Sequence, residues 1–109
     1  MTLELWQTEW CPASRRVREL LTELGVDYVI RQVPVEREER TALFAATGSD
    51  VIPALVAGGA VLVGEQAIGA YLDEQFEVPA GAEAHRLKAA KARRRYLEEE
   101  CECLQPATR

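Results

Sequence analysis

The sequence predicts an α/β domain in which helices flank one mixed sheet, and three observations indicate this class. Segments typical of strands and helices follow one another in the order strand–helix–strand–helix–hairpin–helix. Strands joined through a helix are usually parallel, whereas the two strands of a hairpin are antiparallel, so the four predicted strands form a mixed sheet. The chain has 109 residues, 48% of them hydrophobic and 28% charged, which suits one domain with its own core.

The first strand and the first helix follow each other at the N-terminus. Residues 2–7 (TLELWQ) alternate apolar and polar side chains, which is typical of a strand with one buried face. Residues 12–25 then carry apolar side chains three and four positions apart, the period of an amphipathic helix. Pro12 suits the first helical position and Gly25 suits the residue just beyond the last turn.

The middle of the chain predicts a strand, a helix and a hairpin. The strand lies at 27–33, which is rich in β-branched and aromatic residues, and the helix lies at 36–48, which ends on a glycine. The hairpin lies at 51–64, because two apolar runs flank the turn dipeptide Gly58-Gly59.

The rest of the chain predicts two further helices separated by a linker. A helical period resumes at 65–76 and is then interrupted by a stretch containing proline and glycine. A long helix is predicted from 83 to about 104, where a basic block (KARRR) precedes an acidic one (EEE) and is interpreted as a solvated face. We therefore expect a domain at 1–78 and a linker with a helical extension at 79–109.

Charge and hydropathy exclude several classes of function. The net charge of −5 disfavours nonspecific binding to nucleic acid, which requires a basic face. No apolar run approaches the roughly 18 residues that a membrane helix needs. The N-terminal residues also lack the basic start and apolar stretch of a signal peptide. These features predict a cytoplasmic protein that binds neither nucleic acid nor membranes.

The three cysteines are interpreted as free thiols, redox groups or ligands rather than as a disulfide framework, because their number is odd. Cys101 and Cys103 lie near the end of the tail helix. Three interpretations of this pair stay open: ordinary tail residues, a resolving thiol for Cys11, or a metal contact. His85, the only histidine, is interpreted as a surface residue.

Cys11 lies at the junction between the first strand and the first helix. Unpaired backbone N–H groups and the positive end of the helix dipole favour a thiolate at this position. Ser14 follows three residues later, with its hydroxyl within reach of the sulfur, and Arg15 and Arg16 add positive charge. We therefore interpret Cys11 as a reactive thiolate rather than a buried structural cysteine.

Three motifs carry a resemblance to a known family. They are WCPAS after the first strand, VIPALV before the hairpin turn and VGEQAIGAYLDE after it. In this order and spacing they resemble the thioredoxin-like domain of glutaredoxins and of the N-terminal half of glutathione transferases, over about residues 2–77. The resemblance implies a thioredoxin-like (glutaredoxin) β-α-β-α-β-β-α fold with a mixed four-stranded sheet, to which the C-terminal helix is an addition.

The resemblance also implies a role for each site residue. Cys11 matches the nucleophilic cysteine, and Ser14 stands in place of the second cysteine of dithiol glutaredoxins, so the pattern is of the monothiol kind. Pro53 matches the family's cis-proline, which leaves the backbone of Ile52 free to pair with an extended peptide such as glutathione. The substrate-binding residues implied in this way are Pro12, Val51, Ile52, Pro53, Glu65 and Gln66.

Two departures from the family pattern bear on the identity of the small thiol. Val51 stands where a threonine is frequent, and Gly64-Glu65 replaces the acidic-then-serine pair typical of the transferases. The implied co-substrate is therefore glutathione or another low-molecular-weight thiol.

The function implied is that of a thiol–disulfide oxidoreductase acting by a monothiol mechanism. Its partners are glutathionylated proteins or other mixed-disulfide proteins, and the chain is expected to be a monomer or a weak dimer. Three alternatives stay open: a carrier of an iron–sulfur cluster, an arsenate-reductase-like or Spx-like protein, and a stand-alone transferase-like domain. The cluster of the first alternative is held between two subunits by Cys11 and the thiol of bound glutathione, and no metal site is predicted within the chain itself.

Overall fold

A computed structural model describes residues 2–100 of the chain, without the side chain of residue 100. The contacts divide the chain into two compact units, one up to Val78 and one from Pro79 onward. The first unit contains the whole sheet, and the second contains the C-terminal helix. Cys101 and Cys103, and the predicted end of the tail helix near residue 104, lie outside the described residues.

The N-terminal prediction of a strand and a helix is confirmed. Strand β1 spans Leu3–Gln7 and helix α1 spans Pro12–Glu23, so Pro12 occupies the first helical position. Gly25, two residues beyond the helix, has a φ of 69°, in the left-handed region that favours glycine. Strand β2 follows at Val29–Gln32 and is exposed along its whole length.

The segment predicted as one helix at 36–48 is divided in the structure. A 3-10 turn at Arg37–Glu39 comes first, and helix α2 spans Thr41–Thr47. Arg40 separates the two because its backbone leaves the helical region, with ψ at 47°. Gly48 ends α2 in the left-handed conformation, as the pattern predicts.

The predicted hairpin and third helix are both present. Strand β3 spans Ala54–Ala57 and strand β4 spans Ala60–Val63, joined by Gly58 and Gly59. Of these two glycines, Gly58 alone has a positive φ, at 61°, which fits the turn type with glycine at its first central position. Helix α3 follows at Glu65–Gln75.

The sheet is mixed and four-stranded, with the order β2-β1-β3-β4. Strands β1 and β2 are parallel, and the other two neighbouring pairs are antiparallel. Two clusters of buried side chains lie on this framework. One joins β1, α1, β3 and α3, and the other joins the segment after β2, helix α2 and the start of β3. The fully buried side chains of the larger cluster include Leu5, Leu21, Leu55, Ile68 and Leu72.

The described part of the second unit contains helix α4, which spans Ala82–Arg95, and a wider helical turn at Tyr96–Glu100. The N-cap is Gly81, in the left-handed conformation. Among the described residues, no helix combines the length and the apolar character that crossing a membrane requires.

Candidate functional site

The candidate site lies at one edge of the sheet. The last residues of β1 pair with the first residues of β3, and these in turn pair with the last residues of β4. The segments after β1, before β3 and after β4 therefore meet at the same edge. This topology places Cys11, Pro53 and Glu65, which are far apart in the sequence, at that edge.

Cys11 is the N-cap of α1. Its sulfur accepts a hydrogen bond from the backbone amide of Ser14 at 3.4 Å, which satisfies one of the free N–H groups of the first turn. Ser14 is fully buried, and its hydroxyl oxygen accepts a hydrogen bond from the amide of Thr8 at 3.4 Å. The loop before Cys11 and the first turn of the helix are thereby tied together around the sulfur.

The thiol of Cys11 is partly exposed and has a lowered pKa. Burial acts in the opposite direction and raises the pKa. Hydrogen bonds from the Ser14 hydroxyl, the Ser14 amide and the Ala13 amide, together with the positive charge of Arg16, outweigh it, so the pKa of Cys11 lies below its ordinary value. The thiolate is the nucleophilic form of cysteine, so this environment favours reactivity.

Arg16 connects the first turn of α1 to the start of α3. Its guanidinium donates two hydrogen bonds to the carboxylate of Glu65, from Nε to Oε2 and from Nη2 to Oε1, the latter at 2.9 Å. The hydrogen bond from Arg16 lowers the pKa of the Glu65 carboxyl, although burial opposes it. This ion pair could not be predicted from the sequence, because the two residues are 49 positions apart in the chain.

The residues around Pro53 form the second part of the edge. The Ile52–Pro53 peptide bond is cis, which is the form that the resemblance implies for this proline. Pro53 is buried and its carbonyl accepts a hydrogen bond from the amide of Gly64 at 2.9 Å, so β3 and the start of α3 are joined. Val51 is exposed, and its amide donates to the hydroxyl of Ser49 at 3.1 Å.

An open cleft of about 400 Å³ adjoins the sulfur. Its lining comes from the loop after β1 and from one side of α1, and it includes Cys11, Pro12 and Arg16. Val51, Ile52, Pro53 and the exposed Gln66 are at the same edge of the sheet but outside this lining. The remaining lining residues are Glu9, Trp10, Arg15 and Glu19.

Arg40 is a buried charge that the sequence pattern does not predict. Its guanidinium donates hydrogen bonds to the carbonyls of Pro34, Val35 and Asp50, each at 2.9 Å. These three carbonyls belong to the segment after β2 and to the segment before β3. Arg40 therefore holds together the two chain segments that lead to the cis-proline.

A second polar cluster supports the end of β1 and was also not predicted. The fully buried Gln7 accepts a hydrogen bond from the guanidinium of Arg18 and donates to Glu9 at 3.2 Å. Arg18 also lies 3.4 Å from the carboxylate of Glu9 and from the carbonyl of Thr8. This cluster fixes the loop that leads into Cys11. Among residues 2–100, no group of three or more His, Cys, Asp or Glu side chains is arranged to hold a metal ion.

Comparison with protein families matches residues 5–82 to the family "Glutathione S-transferase, N-terminal domain". The match covers most of the chain, including the last three residues of β1, all of β2 to β4 and the helices α1 to α3. The chain belongs to this family. The thioredoxin-like fold that the motifs imply is therefore confirmed. The family match does not test the more specific resemblance to monothiol glutaredoxins. Helix α4 begins at the last residue of the matched segment, as an extension of the domain.

Solved structures agree with the family assignment. Glutathione S-transferase 1-6 from Anopheles dirus species B is 26% identical, with a TM-score of 0.63 over 70% of this chain and 37% of its own. FzlA from C. crescentus is also 26% identical, with a TM-score of 0.63 over 72% of this chain and 36% of its own. A glutathione transferase homologue from a Burkholderia strain, solved with bound glutathione, is 25% identical, with a TM-score of 0.58 over 72% of this chain and 41% of its own. The chain thus spans well under half the length of these proteins. No curated protein matches it.

Proposed function

We propose that the domain catalyses thiol–disulfide exchange between a low-molecular-weight thiol, glutathione or a related one, and mixed disulfides of proteins. The observation that carries this proposal is the position of Cys11 as the N-cap of α1, partly exposed beside an open cleft and with a lowered thiol pKa. A nucleophilic thiolate in contact with solvent is what disulfide exchange requires.

The exchange takes place in two steps. The Cys11 thiolate attacks the small-thiol sulfur of a mixed disulfide, the existing S–S bond breaks, and the protein thiolate leaves and takes up a proton. Cys11 is then linked to the small thiol by a new disulfide. The thiolate of a second small-thiol molecule attacks that disulfide, releases the oxidised dimer of the small thiol and restores the Cys11 thiolate. The mixed disulfide is the only oxidant that the two steps consume.

Ser14 and Arg16 assist these steps from the first turn of α1. The Ser14 hydroxyl stabilises negative charge on the sulfur each time Cys11 becomes the leaving group, and Arg16 adds a positive charge beside it. Because position 14 is a serine, no disulfide forms within the motif. In the proposed mechanism an external thiol therefore carries out the second step.

The small thiol would bind along the edge that Pro53 and α3 provide. In this proposal the backbone at Val51 and Ile52 pairs with the extended part of the thiol, and Pro53 lies against its sulfur. The amides at the start of α3, at Glu65 and Gln66, receive an anionic group. The bound glutathione of the Burkholderia homologue supports glutathione as a candidate for this thiol.

A second candidate function is conjugation of glutathione to electrophiles. The family match and the transferases among the structural neighbours favour it. The two functions differ in the fate of Cys11, which forms a disulfide in the exchange but remains a free thiol in a conjugation. The iron–sulfur carrier has no comparable observation in its favour among the described residues.

The deciding experiment is intact-mass spectrometry after incubation with oxidised glutathione, followed by peptide mapping. We expect one glutathionyl group on Cys11, and its removal when reduced glutathione is added. The Cys101→Ser/Cys103→Ser double variant is the matched control and should be modified to the same extent. Modification confined to Cys101 or Cys103 would refute the proposal.

Turnover is tested with a glutathionylated protein substrate. Cys11→Ser should abolish deglutathionylation, since the nucleophile is lost, whereas Ser14→Cys should retain it. Conjugation to a model electrophile is measured on the same proteins. Two results together would favour the transferase function instead. The wild-type protein would show no deglutathionylation activity, and the Cys11→Ser variant would still conjugate glutathione to the electrophile.

A further inference from the structure

The arginines in the first two turns of α1 are each paired with a carboxylate. The three ion pairs, with N···O distances of 3.4 Å or less, are Arg15–Glu19, Arg16–Glu65 and Arg18–Glu9. The positive charge beside the sulfur is therefore neutralised pair by pair. As a result, this part of the helix offers an anionic ligand no uncompensated cation.

The pair between Arg16 and Glu65 is the one that joins two elements at the candidate site. Arg16 lines the cleft beside Cys11, and Glu65 is the first residue of α3. The side chains of Arg16 and Glu65 are 59% and 37% exposed, so a bound molecule can reach both charges. Because the guanidinium donates two hydrogen bonds to the carboxylate, the two groups are held in one orientation.

This pair restricts the charge that a ligand can bring to the start of α3. In the proposed function the far end of the small thiol lies against that helix start. A carboxylate arriving there approaches the carboxylate of Glu65, whose cation is already engaged, so the two anions must share Arg16 or one must displace the other. An end without net negative charge avoids this repulsion.

We propose that Glu65 is a specificity-determining residue, which selects small thiols whose end at α3 carries no net negative charge, whether that end is neutral or zwitterionic. This inference rests on the proposed function, because it names the class of thiol that the same site accepts. Discrimination arises here from a built-in repulsion against the wrong ligand. Since the ion pair is exposed, the preference should be about two- to fivefold.

Two disulfides of closely similar structure test the proposal. Glutathione disulfide has zwitterionic γ-glutamyl ends, and its N-acetylated counterpart lacks the ammonium, so that each end is negative. The Cys11 thiolate attacks one sulfur of either disulfide, forms the mixed disulfide and releases one small thiolate. Rapid quenching and intact-mass spectrometry give the rate of this step in the protein with Cys101 and Cys103 replaced by serine. Each rate is divided by the rate of the same disulfide with a free cysteine peptide, and the wild-type protein should then prefer glutathione disulfide about two- to fivefold.

Two variants that break the same ion pair should change this preference in opposite directions. Glu65→Gln removes the repelling charge and frees Arg16, so the preference should fall close to one. Arg16→Gln leaves the charge of Glu65 without its partner, so the preference should increase. Glu74→Gln is the matched control, because it removes the same charge from the other end of α3, roughly 14 Å along the helix, and should leave the preference unchanged.

The outcomes separate this inference from the proposed function. A purely structural role of the ion pair would make Glu65→Gln and Arg16→Gln change the preference in the same direction. That result, or equal corrected rates of the two disulfides in the wild-type protein, would overturn the inference, while the adduct on Cys11 would still support the proposed function. Absence of an adduct on Cys11 with either disulfide would overturn the proposed function and this inference with it.

Discussion

The sulfur of Cys11 is held by its immediate neighbours in the chain, so the chemistry of the site can be tested one residue at a time. Its hydrogen bonds come from residues 13 and 14, and the positive charge that stabilises the thiolate is on Arg16. Loss of any one of these partners should raise the pKa of the Cys11 thiol. The tests below use a background in which Cys101 and Cys103 are serine.

The first prediction concerns Ser14. The rate of alkylation of Cys11 by iodoacetamide follows the thiolate fraction, so in the wild-type protein it should rise to half its maximum at a pH below the ordinary pKa of cysteine. Ser14→Ala removes the hydroxyl hydrogen bond that lowers the pKa and should move this midpoint to higher pH. An unchanged midpoint would show that the hydroxyl does not act on the sulfur.

The second prediction separates two neighbouring arginines. Arg16 lowers the pKa of Cys11 through its charge, so Arg16→Gln should raise the midpoint of the alkylation profile, and added salt should weaken the difference. Arg15 lines the same cleft but pairs with Glu19 and is not among the groups that lower this pKa. Arg15→Gln, which removes the same charge, should leave the midpoint in place. Equal shifts in both variants would point to a general loss of positive charge.

At the scale of elements, Gly64 determines how β4 leads into α3. It has a φ of 92° and a ψ of 155°, a region that residues with a side chain rarely adopt. Gly64→Ala should therefore lower the free energy of unfolding by about 1–3 kcal/mol, measured by urea denaturation. Gly59→Ala is the control, because Gly59 lacks a positive φ and an added Cβ meets no atom within 4 Å. Equal losses in the two variants would contradict this explanation.

The connections on either side of α2 depend on Arg40. Arg40→Ala would leave three carbonyls without their charged donor, and the free energy of unfolding should fall by about 2–4 kcal/mol. Arg37→Ala removes the same charge from an exposed pair with Asp50 and should have a much smaller effect in the same urea titration. A loss as large for Arg37→Ala would mean that the buried hydrogen bonds are not the cause.

At the scale of the whole molecule, the first unit contains both clusters of buried side chains, none of which extends beyond Val78. We expect a fragment of residues 1–78 to unfold cooperatively in a thermal melt followed by circular dichroism. Its Cys11 should be alkylated at the same rate as in the full chain, because all partners of the sulfur are retained. A fragment without a cooperative transition would show that the C-terminal extension is needed for folding.

The sequence predicts the elements of this fold because each depends on local patterns. The turn at Gly58-Gly59, the proline that begins α1 and the glycine that ends α2 are all visible in the order of residues. The position of Cys11 at a helix start is visible for the same reason. The single helix expected at 36–48 was wrong, since the turn at Arg40 depends on carbonyls from two other segments.

The contacts that complete the site could not be predicted from the sequence. The pair between Arg16 and Glu65 and the hydrogen bonds of Arg40 join segments whose proximity follows from the topology of the sheet. A single sequence carries no periodicity from which such a pairing can be read. A buried arginine between two apolar segments looks the same in sequence as an exposed one.

The exposed indole of Trp10 provides an intrinsic optical reporter for the reaction of its neighbour. The chain has two tryptophans; Trp10 borders the cleft with 60% of its surface exposed, whereas Trp6 packs against the smaller buried cluster. Attachment of a small thiol to Cys11 should change the emission of Trp10 and leave that of Trp6 constant. Stopped-flow fluorescence can then follow each half of the exchange without a label, and Trp10→Phe should abolish the signal while the adduct still forms.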